Sequence, residues 1–248
     1  MHSDMYFHGE LIRNLVTAKD VKVILELGVR TIESRTQSTS TYIFHEALNS
    51  LSDNRRKLYS CDMTRPIKNK NLIRQLEESK IWHFFEGDDI KKFPSIKKTL
   101  EEKNEKIDIL FIDTYKNYKL TKFELENYSK LLSDTGIILM HDLGVDWKYN
   151  NVKRPKKKYN LKDIEDWQEH DTAIIELLEA TDFKLKAQLG SYNMGVLFRD
   201  LAHLNGVKIS NDLNYDHCRN SVSHQFCKAR RNDWNAKWKM FEKEKKER

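Results

Sequence analysis

Cysteine is scarce. The chain has three in 248 residues, at unrelated spacings, which argues against a disulfide framework and for a reducing, cytoplasmic setting. Long apolar runs are missing as well. The longest, Ile107 to Ile112, contains an Asp and falls far short of the roughly 18 residues of a membrane helix. The opening MHSDMYFHGE lacks the basic start and apolar stretch of a secretory signal. No internal repeat is visible, and no low-complexity segment is longer than KEKKER. What is present is an ordinary apolar share of 39% with well-spread aromatics, which excludes global disorder. A chain of this length fits one large domain, or one domain with an appendage, and can bury a sizeable core.

The net charge of +6 is uneven. From Gln225 to the end, nine Lys/Arg face four Asp/Glu, so the rest of the chain is nearly neutral. A second basic cluster, KRPKKK, spans Lys153 to Lys158. Such clusters meet phosphates or acidic glycans in some proteins and are solvated loops or tails in more of them.

Between Val21 and Arg199, short apolar runs alternate with helical patterns. The runs are Val21–Leu27, Lys57–Cys61, Ile81–Phe85, Ile107–Ile112 and Gly136–Met140. Between them, apolar residues recur at three- and four-residue spacing, as in Tyr42, Ile43, His45, Ala47, Leu48 and again in Leu120, Phe123, Leu125, Tyr128. This is the pattern of repeated β-α units and predicts a Rossmann-like, mostly parallel α/β sheet with helices on both faces. The runs are continuously apolar, as strands covered on both faces should be. A polar insert (144–160) and a helix over Leu161 to Ala180 follow. Two further strands, Phe183–Gln188 and Met194–Phe198, joined by a tight LGSYN connection, predict an antiparallel final strand at the sheet edge. Residues 1–200 form the expected domain. Residues 201–248 form a basic extension, read as a helical appendage or an oligomer contact.

In such a sheet, ligands bind beyond the carboxyl ends of the strands. An acidic group occurs at or just after the end of each of the first five strands: Glu26, Asp62, Glu86 to Asp89, Asp113 and Asp142. That regularity predicts one polar crevice. Gly28 permits close backbone approach, and Asp62 is placed to accept ribose hydroxyls. The dinucleotide fingerprint is absent, because the first loop reads GVRTIES with no second or third glycine. A nucleoside ligand without a pyrophosphate fits better than NAD.

The succession ILELGVRT, YSCD, FFEGDD, IDILFIDTYKNY and SDTGIILMHD resembles the class I S-adenosylmethionine-dependent methyltransferases. It is most similar to the small cation-dependent O-methyltransferases and the sugar and macrolide O-methyltransferases, over about Val21 to Arg199. The resemblance implies a seven-stranded sheet and S-adenosylmethionine as cofactor. It places Glu26 and Gly28 at the methionine moiety, Asp62 at the ribose, and Asp88 and Asp89 at the adenine, with Asp113 at the reaction centre. It also implies a divalent cation such as Mg²⁺, which keeps several waters, on Asp113 and Asp142. The residue after Asp142 is Leu143, where cation-dependent members carry Asn or Asp. Lys116 stands three residues after Asp113, the position of a lysine base in catechol-type enzymes, and His141 is the alternative base.

The implied function is methyl transfer to a hydroxyl of a small molecule or glycan. The metal would orient the acceptor, and the insert Trp147 to Tyr159 would act as a lid. The altered first loop also leaves open a non-catalytic module that keeps the fold. A nucleic-acid methyltransferase ranks lower, since DTYK is not the Asn/Asp-Pro-Pro-aromatic motif of amino-directed enzymes. His217, Cys218, His224 and Cys227 are zinc-type residues, but their spacing matches no common zinc pattern.

Overall fold

The structure, a computed structural model, describes residues 5–29, 39–51, 55–64, 70–115, 118–143, 169–188 and 193–209. The polar insert, the first part of the helix expected from Leu161, residues 189–192 and the C-terminal extension from 210 lie outside the described residues, as does Lys116.

The elements follow in order as α1 (Met5–Ala18), β1 (Val23–Leu27), α2 (Ser40–Asn49), β2 (Lys57–Asp62), α3 (Lys70–Glu78), β3 (Trp82–Glu86), α4 (Asp89–Glu102), β4 (Ile107–Ile112), α5 (Tyr118–Tyr128), β5 (Leu132–Leu143), α6 (Glu169–Ala180), β6 (Lys184–Gln188) and β7 (Asn193–Phe198). The strands form one seven-stranded sheet in the order β3-β2-β1-β4-β5-β7-β6. The pairs among β1 to β5 are parallel, and β7 is antiparallel to both of its neighbours. The fold class is therefore the expected one, with a difference in detail. The antiparallel strand lies one place in from the edge, because β7 inserts between β5 and β6.

Alternation along the strands sorts side chains to two faces. Val23, Leu25 and Leu27 join a core with Ile96 and Leu100 of α4, Leu125 of α5 and Ile174 of α6. Ile24 faces the opposite core, built with α1, α2 and α3 through Ile12, Ile43 and Leu76. The central strands are buried on both sides, which explains their unbroken apolar sequence. Strand β5 starts four residues before the expected Gly136. Its pairing with β4 slips between Leu132 and Ile137, where a Cβ on Gly136 would come within 2.8 Å of the Ile107 carbonyl.

At the amino end of the sheet, the Asp108 carboxylate accepts from the backbone N–H of Lys22 (2.8 Å) and Val23 (3.0 Å) and from the Ser133 hydroxyl (2.9 Å). It thus ties the starts of β1, β4 and β5 together, far from the strand tips where ligands bind. Replacing Asp108 by Ala is expected to cost about 1–3 kcal/mol in urea unfolding, through the backbone donors it strands. Ligand affinity at the opposite end should stay within twofold.

Candidate functional site at the carboxyl ends of the strands

The strand order reverses between β1 and β4, and it is at such a switch, beyond the carboxyl ends of the strands, that open α/β sheets bind ligands. Gly28 stands at that switch with φ +86°, and a Cβ there would lie 2.4 Å from the Asp113 carbonyl oxygen. The two chains meet backbone to backbone: Asp113 N–H donates to the Leu27 carbonyl at 2.8 Å, and Gly28 N–H donates to the Cys61 carbonyl at 2.9 Å. Glycine is required at this point by both dihedral and space.

Asp62 ends β2 beside this turn. Its Oδ2 accepts from Val29 N–H at 2.5 Å, while Oδ1 takes only a long 3.4 Å contact from Thr64 N–H. One oxygen thus holds the first loop and the other keeps accepting capacity at the strand tip.

Glu26 sits differently from the other acids. It is fully buried on the α2 side of β1, a consequence of alternation with Leu25 and Leu27. The hydroxyls of Ser40, Thr41 and Ser60 all donate to its carboxylate, the latter two at 2.7 and 2.8 Å. Trp82 Nε1 donates in turn to Ser60 at 3.0 Å. Burial pushes the Glu26 carboxyl up to about 7, although the three hydroxyls oppose the shift. Ser40 and Thr41 form the first turn of α2, behind the Thr39 cap that accepts from Tyr42 N–H. Glu26 is therefore the anchor of that helix end. Sequence reading did not find the three hydroxyl partners, because their convergence depends on how α2 and β2 pack.

Asp113 and His141 come together. His141 Nδ1 lies 3.1 Å from Asp113 Oδ1, and the imidazole is buried. The ring of His8, on α1, meets it edge-on with centroids 5.9 Å apart. Alternation explains the pairing: Phe111 and Leu139 face the α1 side, and Asp113 and His141 continue those rows. His8 carried no signal in the sequence. Asp142 follows on β5, and its side chain is outside the described residues. Among the described residues, no group of three or more His, Cys, Asp or Glu is placed to hold a metal ion. Asp113, one of the two expected cation ligands, is engaged by His141, and the other, Asp142, has its side chain outside the described residues.

Asp88 and Asp89 open α4. Asp88 caps it, accepting from Lys91 N–H at 3.1 Å. Asp89 Oδ2 is buried, and burial pushes the Asp89 carboxyl above its ordinary range. Glu124 is fully buried, and its Oε1 accepts from the Thr114 hydroxyl at 2.5 Å. Glu124 was missed in the sequence, where it reads as a polar position on an amphipathic helix.

A groove of about 620 Å³ runs between α5 and α6, lined by residues including Lys122, Glu176, Phe183 and Arg199. It lies where β6 begins and β7 ends, at the opposite end of the sheet from the crevice.

This sheet order, with its crevice at the β1/β4 switch, is the class I methyltransferase fold. Residues 39–143 match the sequence family described as a methyltransferase domain. Among solved structures, the chain is similar to the O-methyltransferase TomG from Streptomyces achromogenes, solved with SAM and involved in tomaymycin synthesis. That match has 16% identity, covers 77% of this chain and 78% of that one, and has a TM-score of 0.53. It is similar to the O-methyltransferase from Bacillus cereus in complex with SAH, at 16% identity over 79% and 83% of the two chains, with a TM-score of 0.52. The SAH-bound methyltransferase PaMTH1 of Podospora anserina matches at 16% identity over 78% of each chain, with a TM-score of 0.52. No curated protein sequence matches the chain. Among the described residues, no helix is long and apolar enough to cross a membrane.

Proposed function

We propose that the protein is an S-adenosylmethionine-dependent O-methyltransferase acting on a hydroxyl of a small molecule or glycan. The observation that carries this reading is that Gly28, Asp62, Asp88 and Asp113 stand at or just beyond the carboxyl ends of the neighbouring strands β1 to β4 of a methyltransferase fold. The residues fit the cofactor. Gly28 keeps the first turn clear, Asp62 retains an oxygen for a ribose hydroxyl, and the Asp88–Asp89 turn borders the adenine side. Glu26 supports the methionine side from behind, through α2.

The bound cofactor supplies an electrophilic sulfonium methyl. An acceptor hydroxyl receiving that methyl would have to give up its proton to a group of the protein. The protein's task is alignment and acceptance of that proton. Asp113, oriented by His141, is positioned to accept the acceptor's hydrogen bond. Lys116 is the second candidate for the proton.

Titration with S-adenosylhomocysteine by calorimetry tests the reading. Micromolar binding is expected, weakened at least about tenfold by Asp62→Ala, which corresponds to about 1.4 kcal/mol. Absence of heat and of thermal stabilisation at millimolar ligand would overturn it.

A further inference from the structure

We propose that the open edge of β3 joins two copies of this chain, pairing antiparallel about a two-fold axis at Phe84 into one continuous sheet. The pairing is independent of the methyltransferase reading above.

Strands β3 and β6 are the two edges of the sheet, and their sequences differ. β6 begins KLK, with Lys184 exposed, and lysines of this kind keep an edge from pairing with another chain. β3 reads WHFFE, with no Lys, Arg, Asp or Glu before its last residue and with Phe84 and Phe85 half-buried. Aromatics such as Trp82, Phe84 and Phe85 favour strand pairing. Backbone register decides what the open side offers. Leu58 N–H donates to the Ile81 carbonyl at 3.0 Å, and Gly87 N–H donates to the Asp62 carbonyl at 2.8 Å. Alternate residues of a parallel strand face its neighbour, so positions 81, 83, 85 and 87 face β2. Phe84 and Glu86 turn their N–H and C=O groups to the open side, where no strand of the described residues pairs with them.

The charges along this edge select the occupant and its direction. The amino end is basic: Lys80 is exposed, and the Lys57 ammonium donates to its carbonyl at 3.4 Å. The carboxyl end is acidic, with Glu86 exposed and Asp88 and Asp89 following. A parallel second copy would set like charges side by side, which destabilises a sheet. An antiparallel copy sets the basic end of each strand against the acidic end of the other. With the axis at Phe84, that residue exchanges both backbone bonds with Phe84 of the second copy. Glu86 lies opposite Trp82 of the second copy and diagonal to its Lys80, a separation that long side chains span. The two Phe84 rings form a cross-strand aromatic pair. Because the axis is perpendicular to the sheet, the carboxyl ends of the two copies point in opposite directions, and the ligand-binding end of each stays open.

Sedimentation velocity of the full chain over a wide range of concentration should show a species of twice the 29.6 kDa chain mass. Phe84→Lys sets like charges face to face at the axis and should weaken the dimer at least about tenfold. Lys80→Glu sets a carboxylate against Glu86 and Asp88 of the second copy and should weaken it in the same direction, less so at high salt. A monomer at every concentration overturns the proposal. So does a dimer whose affinity is unchanged in a folded Phe84→Lys variant.

Cross-linking reads the register and decides the matter even if Phe84→Lys does not fold. In a chain whose Cys218 and Cys227 are replaced by serine, Phe84→Cys should give a disulfide-linked dimer on mild oxidation, because directly opposite Cα atoms of such a pair lie about 5.5 Å apart. Glu86→Cys in the same chain should stay monomeric on a denaturing gel. Its two copies of position 86 stand four residues apart along the paired strands, roughly 13 Å, too far for a disulfide. Absence of the Phe84→Cys link, or equally ready linking of Glu86→Cys, overturns the pairing at Phe84.

Discussion

Replacing Gly28 by Ala is expected to cost about 3 kcal/mol or more of folding stability and to abolish measurable S-adenosylhomocysteine binding. Two effects add. A non-glycine residue at φ +86° occupies a region L side chains rarely adopt, and the new Cβ would lie 2.4 Å from the Asp113 carbonyl oxygen. Because that neighbour is backbone, it cannot rotate away as a side-chain tip would. Relief requires β1 and β4 to separate at their tips, which breaks the Asp113 N–H to Leu27 carbonyl bond and opens the crevice itself. For a domain of this size the melting temperature should fall by about 10 °C. Gly206, also at positive φ (+76°) but with no atom within 4 Å of a Cβ, supplies the comparison. Its substitution should cost only about 1–2 kcal/mol, from dihedral strain alone. Equal losses at the two positions would remove the close approach as the cause.

The second large effect concerns Glu26. Truncation to Ala leaves three hydroxyls without their acceptor and a void at the start of α2, a loss of about 3–5 kcal/mol. The isosteric Glu26→Gln behaves otherwise, and its sign depends on pH. The folded-state carboxyl titrates at about 7 because of burial, above its ordinary value of 4.5. The folded protein therefore holds this proton more tightly than the unfolded chain. The contribution is fully present below pH 4.5 and is lost as pH rises through 7, about 3 kcal/mol in total. Urea unfolding at pH 5 and pH 8 should show wild type losing stability over this interval and Glu26→Gln losing much less. The variant should be the more stable of the two at pH 8. A slope in Glu26→Gln as steep as in wild type would show that Glu26 is not the titrating group.

Much of the architecture was legible along the chain because burial on both faces of a parallel sheet leaves a continuous apolar signature. Leu25 and Leu110 needed no partner information to be read as core. Strand tips were legible for the same reason, since polarity resumes where the sheet ends, at Asp62, Asp88 and Asp113. The placement of the antiparallel strand was not. Phe183–Gln188 and Met194–Phe198 read as a pair, but no residue in them states that β7 inserts beside β5. That is decided by hydrogen-bond register between strands more than forty residues apart.

The candidate site divides in the same way. Glycine at 28 and carboxylates at 62, 88 and 113 follow from local rules about what a turn or strand end requires, and the sequence by itself determined them. Tertiary structure alone turned Glu26 inward to three hydroxyls while Asp62 stayed at the tip. It also set His8 against His141 and brought Glu124 to the Thr114 hydroxyl. The physical reason is that a side chain's proton affinity and role depend on which atoms exclude water around it, and those atoms come from elements distant in the chain. Strand alternation states which face a residue takes; only the packed helices decide what waits there.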